Sequence, residues 1–396
     1  MVNKYHDTTF YLICSNIKDF KFINEIFGME KGNQVLIKQA KLMASNPSER
    51  TICARLMNDR FALCLPREEF DEKRVADSIK ELQREFSGNS FHLHTYMGVY
   101  EIRDRDEAVS IMVDKANIAA DTIKNNYDCC VAYYDEHLLE ISIEQRRLLG
   151  EFEPALQNDE FVMYLQPQVK RDGAAKGAEA LVRWVHPSRG ILTPYAFIDI
   201  LENAGLIYKL DLYIWEKAAQ KLAEWKEKGY GSYHISVNIS TKDFYIIDIY
   251  ETFTGLINKY GIAASNLHLE ITETTLMTDF EKNMNIIHKL QDVGFRVEID
   301  DFGSGYSSLN MLKDISADVL KIDMGFLRKS ENEVKGQDIL ESIITLAGKI
   351  GMDVITEGVE TKKQLDMLTM MGCHEFQGYY FSKPVPVSEF EEKYLV

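Results

Sequence analysis

Two neighbouring aspartates, Asp300 and Asp301, carry the clearest chemical signal in the sequence. They end an alternating run, residues 296–300, that predicts a β-strand, and a Gly-Ser-Gly loop follows them. Adjacent carboxylates at a strand end repel each other, so one of them tends to take up a proton unless a cation is bound. Two such aspartates can hold two divalent metals side by side. The alternative is an acidic turn in which each aspartate caps a backbone group, and these residues alone do not separate the two.

Other predicted strands in the last two-thirds of the chain also end in polar side chains. Together with the aspartate pair, the polar residues at or near strand ends are Asn238, Glu270, Glu273, Asp300, Asp301, Lys321, Asp323, Glu357, Glu360 and Gln377. Glu179 lies early in its own strand, which is unexpected unless the preceding hairpin turns that end towards the others. Because barrel enzymes build their sites from several strand ends, consecutive strands that end in such groups favour a metal site over independent turns.

Eight predicted strands, most of them separated by helical patterns, position these side chains. They cover residues 161–166, 178–184, 234–238, 267–271, 296–300, 319–323, 353–356 and 375–380. Eight strands with intervening helices in about 250 residues is the size of a (β/α)₈ barrel. The first two strands are joined only by residues 169–177, whereas a parallel crossover needs about a dozen residues or more. The barrel is therefore predicted to contain one antiparallel strand.

The first third of the chain has a different pattern. Its strands and helices follow a β-α-β-β-α-β order with additions, which predicts an α+β domain of the ferredoxin-like or nucleotidyl-cyclase palm type. A proline-free run near residues 135–151 predicts one helix between the two patterns. We therefore expect an α+β domain at 1–135, a linking helix at 136–150 and a barrel at 151–396.

The composition limits where and on what the protein acts. A formal charge of −17 makes the chain a poor non-specific binder of DNA, RNA or anionic membranes. Its six cysteines contain no CxxC pair, which favours reduced thiols in the core of a cytoplasmic protein. The N-terminus is too polar for a signal peptide, and no apolar run approaches the roughly 18 residues of a membrane span. We expect a cytoplasmic protein without membrane insertion.

The barrel half closely resembles an EAL phosphodiesterase domain over about residues 151–396. Seven motifs carry the resemblance, in the order of that family: Glu179-Ala-Leu-Val-Arg183, Asn238-Ile-Ser240, Glu270-Ile-Thr-Glu273, Asp300-Asp-Phe-Gly-Ser-Gly305, Lys321-Ile-Asp323, Glu357-Gly-Val-Glu360 and Gln377-Gly-Tyr-Tyr-Phe-Ser-Lys-Pro384. The resemblance implies a (β/α)₈-like barrel with one antiparallel strand. It also implies hydrolysis of cyclic di-GMP to linear pGpG with two divalent ions, Mg²⁺ or Mn²⁺, and a homodimer formed through this domain.

The same resemblance implies a role for individual residues. The implied metal ligands are Glu179, Asn238, Glu270, Asp300, Asp301 and Glu357, with Asp300 bridging the two ions. The implied catalytic residues are Lys321, Glu357, Glu179 and Asp301. Lys321 would orient the attacking water. Glu357 would act either as a metal ligand or as the general base, and these two roles compete. The implied substrate contacts are Gln166, Leu181, Arg183, Asp323, Gln377 and Glu360. Glu273 would anchor the loop at residues 300–306, which also serves dimer contact.

The first third resembles a GGDEF (diguanylate cyclase) domain over roughly residues 8–135. The resemblance rests on Phe20-Lys-Phe-Ile-Asn-Glu-Ile-Phe-Gly28, Gly32-Asn33, Ala54-Arg-Leu56 and Asp114-Lys-Ala-Asn-Ile-Ala-Ala120. The hairpin tip reads Met57-Asn-Asp-Arg-Phe61, without the paired glycines that let a backbone approach phosphate closely. The family's first-strand metal aspartates fall at Asn16 and Lys18, so we expect no cyclase activity.

Two other functions remain open at this point. The barrel could be a receptor that captures cyclic di-GMP without hydrolysing it, although a receptor does not need Asp301 or Lys321. It could also be another metal-dependent barrel enzyme that acts on a small carboxylate or phosphate. Such an enzyme would not require the Gly-Ser-Gly loop or the ending at residues 377–384.

Overall fold

The chain divides into two compact units, Met1–Arg147 and Leu148–Val396. The computed structural model describes residues 1–18, 20–44, 48–86, 93–124, 126, 129–302, 315–323 and 333–395. The Gly-Ser-Gly loop and most of the predicted loop at residues 300–306 lie outside this part of the chain.

The first unit is an α+β domain built on a five-stranded sheet of order β2-β3-β1-β4-β5. The strands are β1 (Phe10–Ile17), β2 (Ile52–Arg55), β3 (Phe61–Pro66), β4 (Thr95–Ile102) and β5 (Val131–Tyr133). The helices are α1 (Phe20–Phe27), α2 (Met29–Met43), α3 (Glu72–Phe86) and α4 (Val109–Thr122). β1 pairs antiparallel with both β3 and β4, and β4 pairs parallel with β5. The predicted fold class of this half is confirmed.

The central strand β1 is buried on both faces because its side chains alternate between two cores. Tyr11 and Ile13 pack into one hydrophobic cluster, whereas Phe10, Leu12 and Cys14 pack into another. A strand covered on both sides reads as a continuous apolar run, which is how this segment appears in the sequence.

The expectation that the cysteines are core residues is wrong for half of them. Cys53 is exposed, and Cys64 and Cys129 are half-buried; all six thiols are free. Cys53 lies on β2, an edge strand whose four residues are all exposed. An apolar run therefore did not imply burial there, because a short edge strand has a neighbouring strand on one side only.

The second unit contains a closed barrel. Helix α5 (Glu136–Gln157) precedes it, and the strands are β6 (Phe161–Lys170), β7 (Ala175–His186), β8 (Gly190–Leu192), β9 (His234–Ile239), β10 (Leu267–Thr272), β11 (Arg296–Phe302), β12 (Val319–Asp323), β13 (Asp353–Glu357), β14 (Glu375–Phe376) and β15 (Val385–Pro386). The helices after α5 are α6 (Ile198–Ala204), α7 (Ile207–Glu227), α8 (Asp243–Ile246), α9 (Ile249–Tyr260), α10 (Glu273–Thr278), α11 (Phe280–Val293), α12 (Glu333–Lys349), α13 (Lys362–Met370) and α14 (Val387–Tyr394).

The barrel closes through β6, which among its eight described strands runs against both of its neighbours. The sheet order β6-β14-β13-β12-β11-β10-β9-β7 is completed by a β6–β7 pairing. β6 is antiparallel to both β7 and β14, whereas the pairs from β7 through β9 to β14 are parallel. This confirms the antiparallel strand predicted from the short 169–177 connection. It also accounts for the position of Glu179 early in its predicted strand. β7 pairs parallel with β9, and Glu179 lies level with Ser236 of that strand.

The last barrel strand is shorter than predicted. We expected a strand over residues 375–380, but β14 covers only Glu375–Phe376. The chain leaves the ladder at Gly378, where a Cβ atom would lie 2.2 Å from the backbone oxygen of Val359. Only glycine allows this close approach, and it places Gln377 at the carboxyl end of the barrel instead of within a continuing strand.

Among the described residues, no helix combines the length and the apolar character needed to cross a bilayer.

Candidate metal centre

A buried lysine surrounded by acidic side chains occupies the interior of the barrel. The Nζ atom of Lys321, on β12, is fully buried and lies close to one oxygen of each of four carboxylates. The distances are 2.7 Å to Glu357 Oε1, 2.9 Å to Glu270 Oε2, 3.3 Å to Asp300 Oδ1 and 3.4 Å to Glu179 Oε2. Five of the predicted site residues therefore meet at one point.

Strand periodicity explains why these residues converge. Successive side chains of a strand point to opposite faces, so alternate residues share the barrel interior. On β10, Leu269 and Ile271 pack into the hydrophobic core, whereas Glu270 faces Lys321. The other three acidic residues come from β7, β11 and β13, which brings charged groups from distant parts of the sequence together at one depth.

Two amide side chains join this group through Glu179, and a third joins through one of them. Gln377 Nε2 donates to Glu179 Oε2 at 2.5 Å, and Asn238 Nδ2 donates to Glu179 Oε1 at 3.1 Å. Gln377 also donates to Gln166 Oε1 at 3.4 Å. Both oxygens of Glu179 thus accept a hydrogen bond, which fixes the carboxylate in one orientation next to Lys321.

Asp301 is exposed and adopts an unusual backbone conformation. Its φ is 56°, in the left-handed region that non-glycine residues seldom occupy, and the β11–β12 register shifts between Ile299 and Phe302. Partial removal of its carboxyl group from water, together with the neighbouring charges of Asp300 and Asp323, raises the pKa of Asp301. Two like charges in adjacent residues and a strained backbone together mark this position as one that a cation would stabilise.

The remaining predicted residues lie around this group. Arg183 is half-buried, with its guanidinium carbon 5.5 Å from the centre of the Tyr164 ring and Nη1 donating to the backbone of Val182. Asp323 lies level with Glu357 in the β12–β13 pair.

Three further predicted residues lie within or just after barrel strands. Leu181 is half-buried on β7. Glu360 is exposed beyond β13, and its backbone N–H donates to Gln364 Oε1. Glu273 begins α10 directly after β10; most of the loop that it was predicted to anchor lies outside the described residues.

The donor set fits a divalent cation. Four carboxylates beside one ammonium leave a formal charge of −3, and an ammonium has only three protons to share among them. Within the described part of the chain, both oxygens of Glu270, Oδ1 of Asp300 and Oε1 of Glu357 are buried and accept no hydrogen bond of normal geometry. Buried oxygen donors of this kind suit hard divalent ions such as Mg²⁺ or Mn²⁺.

The same crowding shifts the proton affinities of the group. Burial, together with Asp300 and Glu179, raises the pKa of Glu357 to about 8, although Lys321 opposes the shift. Burial and Glu179 raise the pKa of Glu270 well above its ordinary value. The pKa of Lys321 is raised too: burial opposes its charge, but Asp300 and the other acidic neighbours outweigh this effect. Without a metal, the group holds extra protons.

This shift predicts a pH dependence of stability. The metal-free protein is expected to lose stability between about pH 4.5 and about pH 8, because unfolded Glu357 releases its proton near 4.5 and the folded residue keeps it up to about 8. The folded state then binds more protons in this window, so that rising pH favours unfolding. Urea unfolding with a chelator at several pH values would measure the slope.

A variant pair isolates the contribution of Glu357. Glu357→Gln should flatten the slope, since the amide does not titrate, whereas the exposed Glu389→Gln should leave it unchanged. An identical slope in wild type and Glu357→Gln would contradict the assignment.

A second polar cluster lies towards the amino ends of the strands, and sequence reasoning missed it. His234, His268 and Glu298 each bring one possible ligand atom to within 4.8 Å of the others. The two imidazoles are stacked, with centroids 3.8 Å apart and planes at 3°. A metal lies close to the plane of each imidazole that binds it, so one ion cannot reach both rings in this arrangement. The cluster is a buried hydrogen-bond network, with His268 Nδ1 2.6 Å from Glu298 Oε1 and His234 Nε2 2.7 Å from Gln168 Oε1.

Polar residues at every second position of β9, β10 and β11 were the signal for that network. His234, Ser236 and Asn238 alternate on β9, and His268 and Glu270 alternate on β10. The period of two indicated that the barrel interior is polar over its whole depth, not only at its carboxyl end.

The chain matches two protein families. The model of the EAL domain matches residues 150–384, and the model of the diguanylate cyclase, GGDEF domain matches residues 2–128. The two matches follow each other along the chain in the order predicted from the motifs.

Relatives of the chain are known from several bacteria. The bifunctional diguanylate cyclase/cyclic di-GMP phosphodiesterase MucR of Pseudomonas aeruginosa is 30% identical over 393 residues, 97% of this chain and 57% of that protein. The cyclic di-GMP phosphodiesterase PdeR of Escherichia coli is 27% identical over 387 residues, 97% of this chain and 58% of that protein. This chain thus spans little more than half the length of these relatives.

A solved structure resembles the barrel half. The PaMucR phosphodiesterase in complex with c-di-GMP has a TM-score of 0.59 and 33% sequence identity, and the match covers 62% of this chain and 99% of that one.

Proposed function

Because the chain belongs to the EAL domain family and carries a GGDEF domain ahead of it, we propose that it is a metal-dependent phosphodiesterase that hydrolyses cyclic di-GMP to linear pGpG. The observation that carries the proposal is the convergence of four carboxylates on Lys321 from four different strands. This donor set is what a two-metal hydrolase of phosphodiesters requires.

In this proposal six side chains hold two divalent ions: Glu179, Asn238, Glu270, Asp300, Asp301 and Glu357. Bound ions of this kind polarise phosphoryl oxygens and make a bound water a stronger nucleophile at neutral pH. Gln377 and Asn238 keep the Glu179 carboxylate in place through their hydrogen bonds. Asp301 is exposed next to Asp300, where the register of β11 shifts, so its carboxylate would be open to the second ion.

During hydrolysis, Lys321 would stabilise developing negative charge, and Glu357 would take part in proton transfer. Water adds to phosphorus, one P–O bond to the ribose breaks, and the leaving oxygen takes a proton. The fully buried Lys321 ammonium places a fixed positive charge beside the site where negative charge develops, which lowers the barrier most in a water-poor environment. Glu357 lies 2.7 Å from Lys321 Nζ and would serve either as a ligand of the second ion or as the general base that accepts a proton from water, and these two roles compete.

Substrate contacts would come from the rim of this group. Arg183 lies over the ring of Tyr164, and its planar guanidinium suits a phosphate with two parallel hydrogen bonds. Gln166 and Gln377 lie beside Glu179 and can hydrogen-bond to polar atoms of a nucleotide. Leu181, Asp323 and Glu360 complete the proposed set.

Incubation of the chain with cyclic di-GMP, with and without Mg²⁺ or Mn²⁺, tests the proposal. The expected result is pGpG in chromatograms of the metal-containing reactions only. Binding of cyclic di-GMP without product would favour the non-hydrolysing receptor. If neither binding nor product is observed, both the phosphodiesterase and the receptor are excluded. That result would point to another substrate.

We further propose that the GGDEF domain makes no cyclic di-GMP and has a structural or regulatory role. In this proposal residues 1–135 form that domain, 136–150 the linking helix and 151–396 the EAL domain. The Asp59 carboxylate accepts a hydrogen bond from the Ile17 backbone at 3.1 Å, and Asn16, Lys18 and Arg60 line the adjoining pocket. One carboxylate among cations is a poor Mg²⁺ site.

A cyclase assay checks this second proposal. The 396-residue chain with Glu179→Gln, in which any product would accumulate, should form no cyclic di-GMP from GTP and Mg²⁺. Accumulation of cyclic di-GMP above the level in a reaction without protein would contradict it. An authentic diguanylate cyclase in the same buffer serves as the positive control.

We also propose that the protein is cytoplasmic and that it forms a homodimer through its EAL domain. The free state of all six cysteines is consistent with the reducing cytoplasm. A homodimer through the EAL domain would be tested by sedimentation velocity of the full chain.

A further inference from the structure

Helix α7 contacts the backbone at the carboxyl end of β9. Trp215, on α7, is fully buried, and its Nε1 donates to the backbone oxygen of Asn238 at 2.9 Å. The indole also packs against Phe253, with ring centres 4.5 Å apart. This side chain therefore fixes the backbone of a residue whose amide faces the acidic group, since Asn238 Nδ2 donates to Glu179.

A second contact of helix α7 lies one turn earlier, against the segment that follows β9. Asp243, just after β9, is fully buried, and its Oδ2 accepts from both the backbone N–H and the hydroxyl of Ser240 at 2.8 Å. Asp211, four residues before Trp215 on α7, lies beside Asp243. Residues four apart share one face of a helix, so Asp211 and Trp215 both face the end of β9.

In the pair formed by Asp211 and Asp243, one carboxyl group is the hydrogen-bond donor and the other is the acceptor. Burial, with the charge of Asp243 beside it, raises the pKa of Asp211 well above its ordinary value. Asp211 therefore carries the proton and donates to Asp243, which in turn holds Ser240. Such a shared proton is the usual outcome when two carboxyl groups meet away from water.

We propose that Asp211 and Trp215 are positioning residues that clamp residues 238–240 and thereby set the affinity of the metal centre for divalent ions. The inference rests on the proposed function, because it takes Asn238 as a metal ligand. Asn238 itself is exposed at the mouth of the barrel, so little packing of its own holds its side chain. Groups that hold a ligand from outside commonly change metal affinity by about 10–100-fold when they are removed.

Trp215→Phe in the full chain is the first test, since it keeps the ring in the core and removes only the donor. Binding of Mn²⁺ without substrate, followed by the electron paramagnetic resonance signal of the free ion, should weaken by about 10-fold. The turnover number at saturating Mn²⁺ should change much less than the Mn²⁺ concentration needed for half-maximal rate.

Trp225→Phe is the matched control. Trp225 lies on the same helix, is also fully buried, and donates from Nε1 to Glu391 Oε1 at 2.9 Å, away from the acidic group. This variant loses an equivalent hydrogen bond and should lower the thermal midpoint in the same way. Its Mn²⁺ affinity should remain that of the wild type.

Two substitutions of Asp211 test the second contact independently. Asp211→Asn keeps a donor for Asp243 and should bind Mn²⁺ as the wild type does. Asp211→Leu removes the donor and should weaken Mn²⁺ binding by about 10-fold. If Trp215→Phe does not fold, this pair decides the question alone.

Each remaining outcome is informative. Unchanged Mn²⁺ affinity in folded Trp215→Phe or Asp211→Leu would overturn the inference. Equal weakening in Trp225→Phe would also overturn it, since the effect would then follow from general destabilisation. Failure of the wild-type chain to bind Mn²⁺ would instead overturn the proposed function, and that result needs no variant.

Discussion

Replacing Glu179 with glutamine is expected to reduce hydrolysis of cyclic di-GMP by well over 100-fold, because even groups that only support a metal ligand are worth about 10–100-fold. Both oxygens of Glu179 accept an amide N–H, one from Gln377 and one from Asn238. A glutamine can accept only one of the two and turns its own NH₂ group towards the other donor. The change therefore removes a negative charge from the proposed metal site and also disturbs two neighbouring amides.

The measurement is the rate of pGpG formation at saturating Mg²⁺ and Mn²⁺. Glu153→Gln, at an exposed helix position where the carboxylate pairs only with Lys209 at the surface, is the control for the chemical change itself and should retain the wild-type rate. Thermal unfolding of both variants checks that the barrel remains folded. Retained turnover in Glu179→Gln would refute the assignment of Glu179 as a ligand.

The barrel could be read from the sequence because its strands obey a simple rule. β12 was predicted with its observed bounds, Val319–Asp323, since aliphatic and polar residues alternate there from Leu320 onwards. The antiparallel β6 followed from the length of one connection, which is too short for a parallel crossover. Both inferences depend on local pattern and chain reach, which a sequence displays directly.

Features that depend on contacts distant in sequence were not predictable in the same way. The end of β14 is set by the backbone of Val359 against Gly378, and nothing near Gly378 in the sequence indicates that neighbour. The four carboxylates were predicted to converge, but not that a fully buried ammonium would lie between them. The ring of Trp215 packs in the core, but its N–H donates to the backbone at the end of β9, a contact that the sequence around Trp215 does not indicate.

Replacing Lys321 with methionine is expected to separate metal binding from catalysis. Methionine fills a similar volume but leaves four carboxylates without a cation within the group. Removal of one partner from a buried charged group costs about 3–5 kcal/mol, so the metal-free variant should unfold at clearly lower urea concentration than the wild type. Its carboxyl groups should also hold more protons, because each loses the positive charge that favoured ionisation.

Divalent ions should reverse this loss and reveal the second effect. Without the competing ammonium, Lys321→Met should bind Mn²⁺ at least as tightly as the wild type at pH 8, and bound metal should restore its stability by mass action. Turnover should nevertheless stay more than about 100-fold below the wild-type rate, since removing one fixed group that stabilises developing charge costs about 10²–10³-fold. Lys217→Met, which removes an exposed ion pair with Asp159, should change neither property. Restored turnover in metal-loaded Lys321→Met would mean that the lysine only neutralises the acidic group, whereas tight metal binding without turnover would assign it a part in the reaction itself.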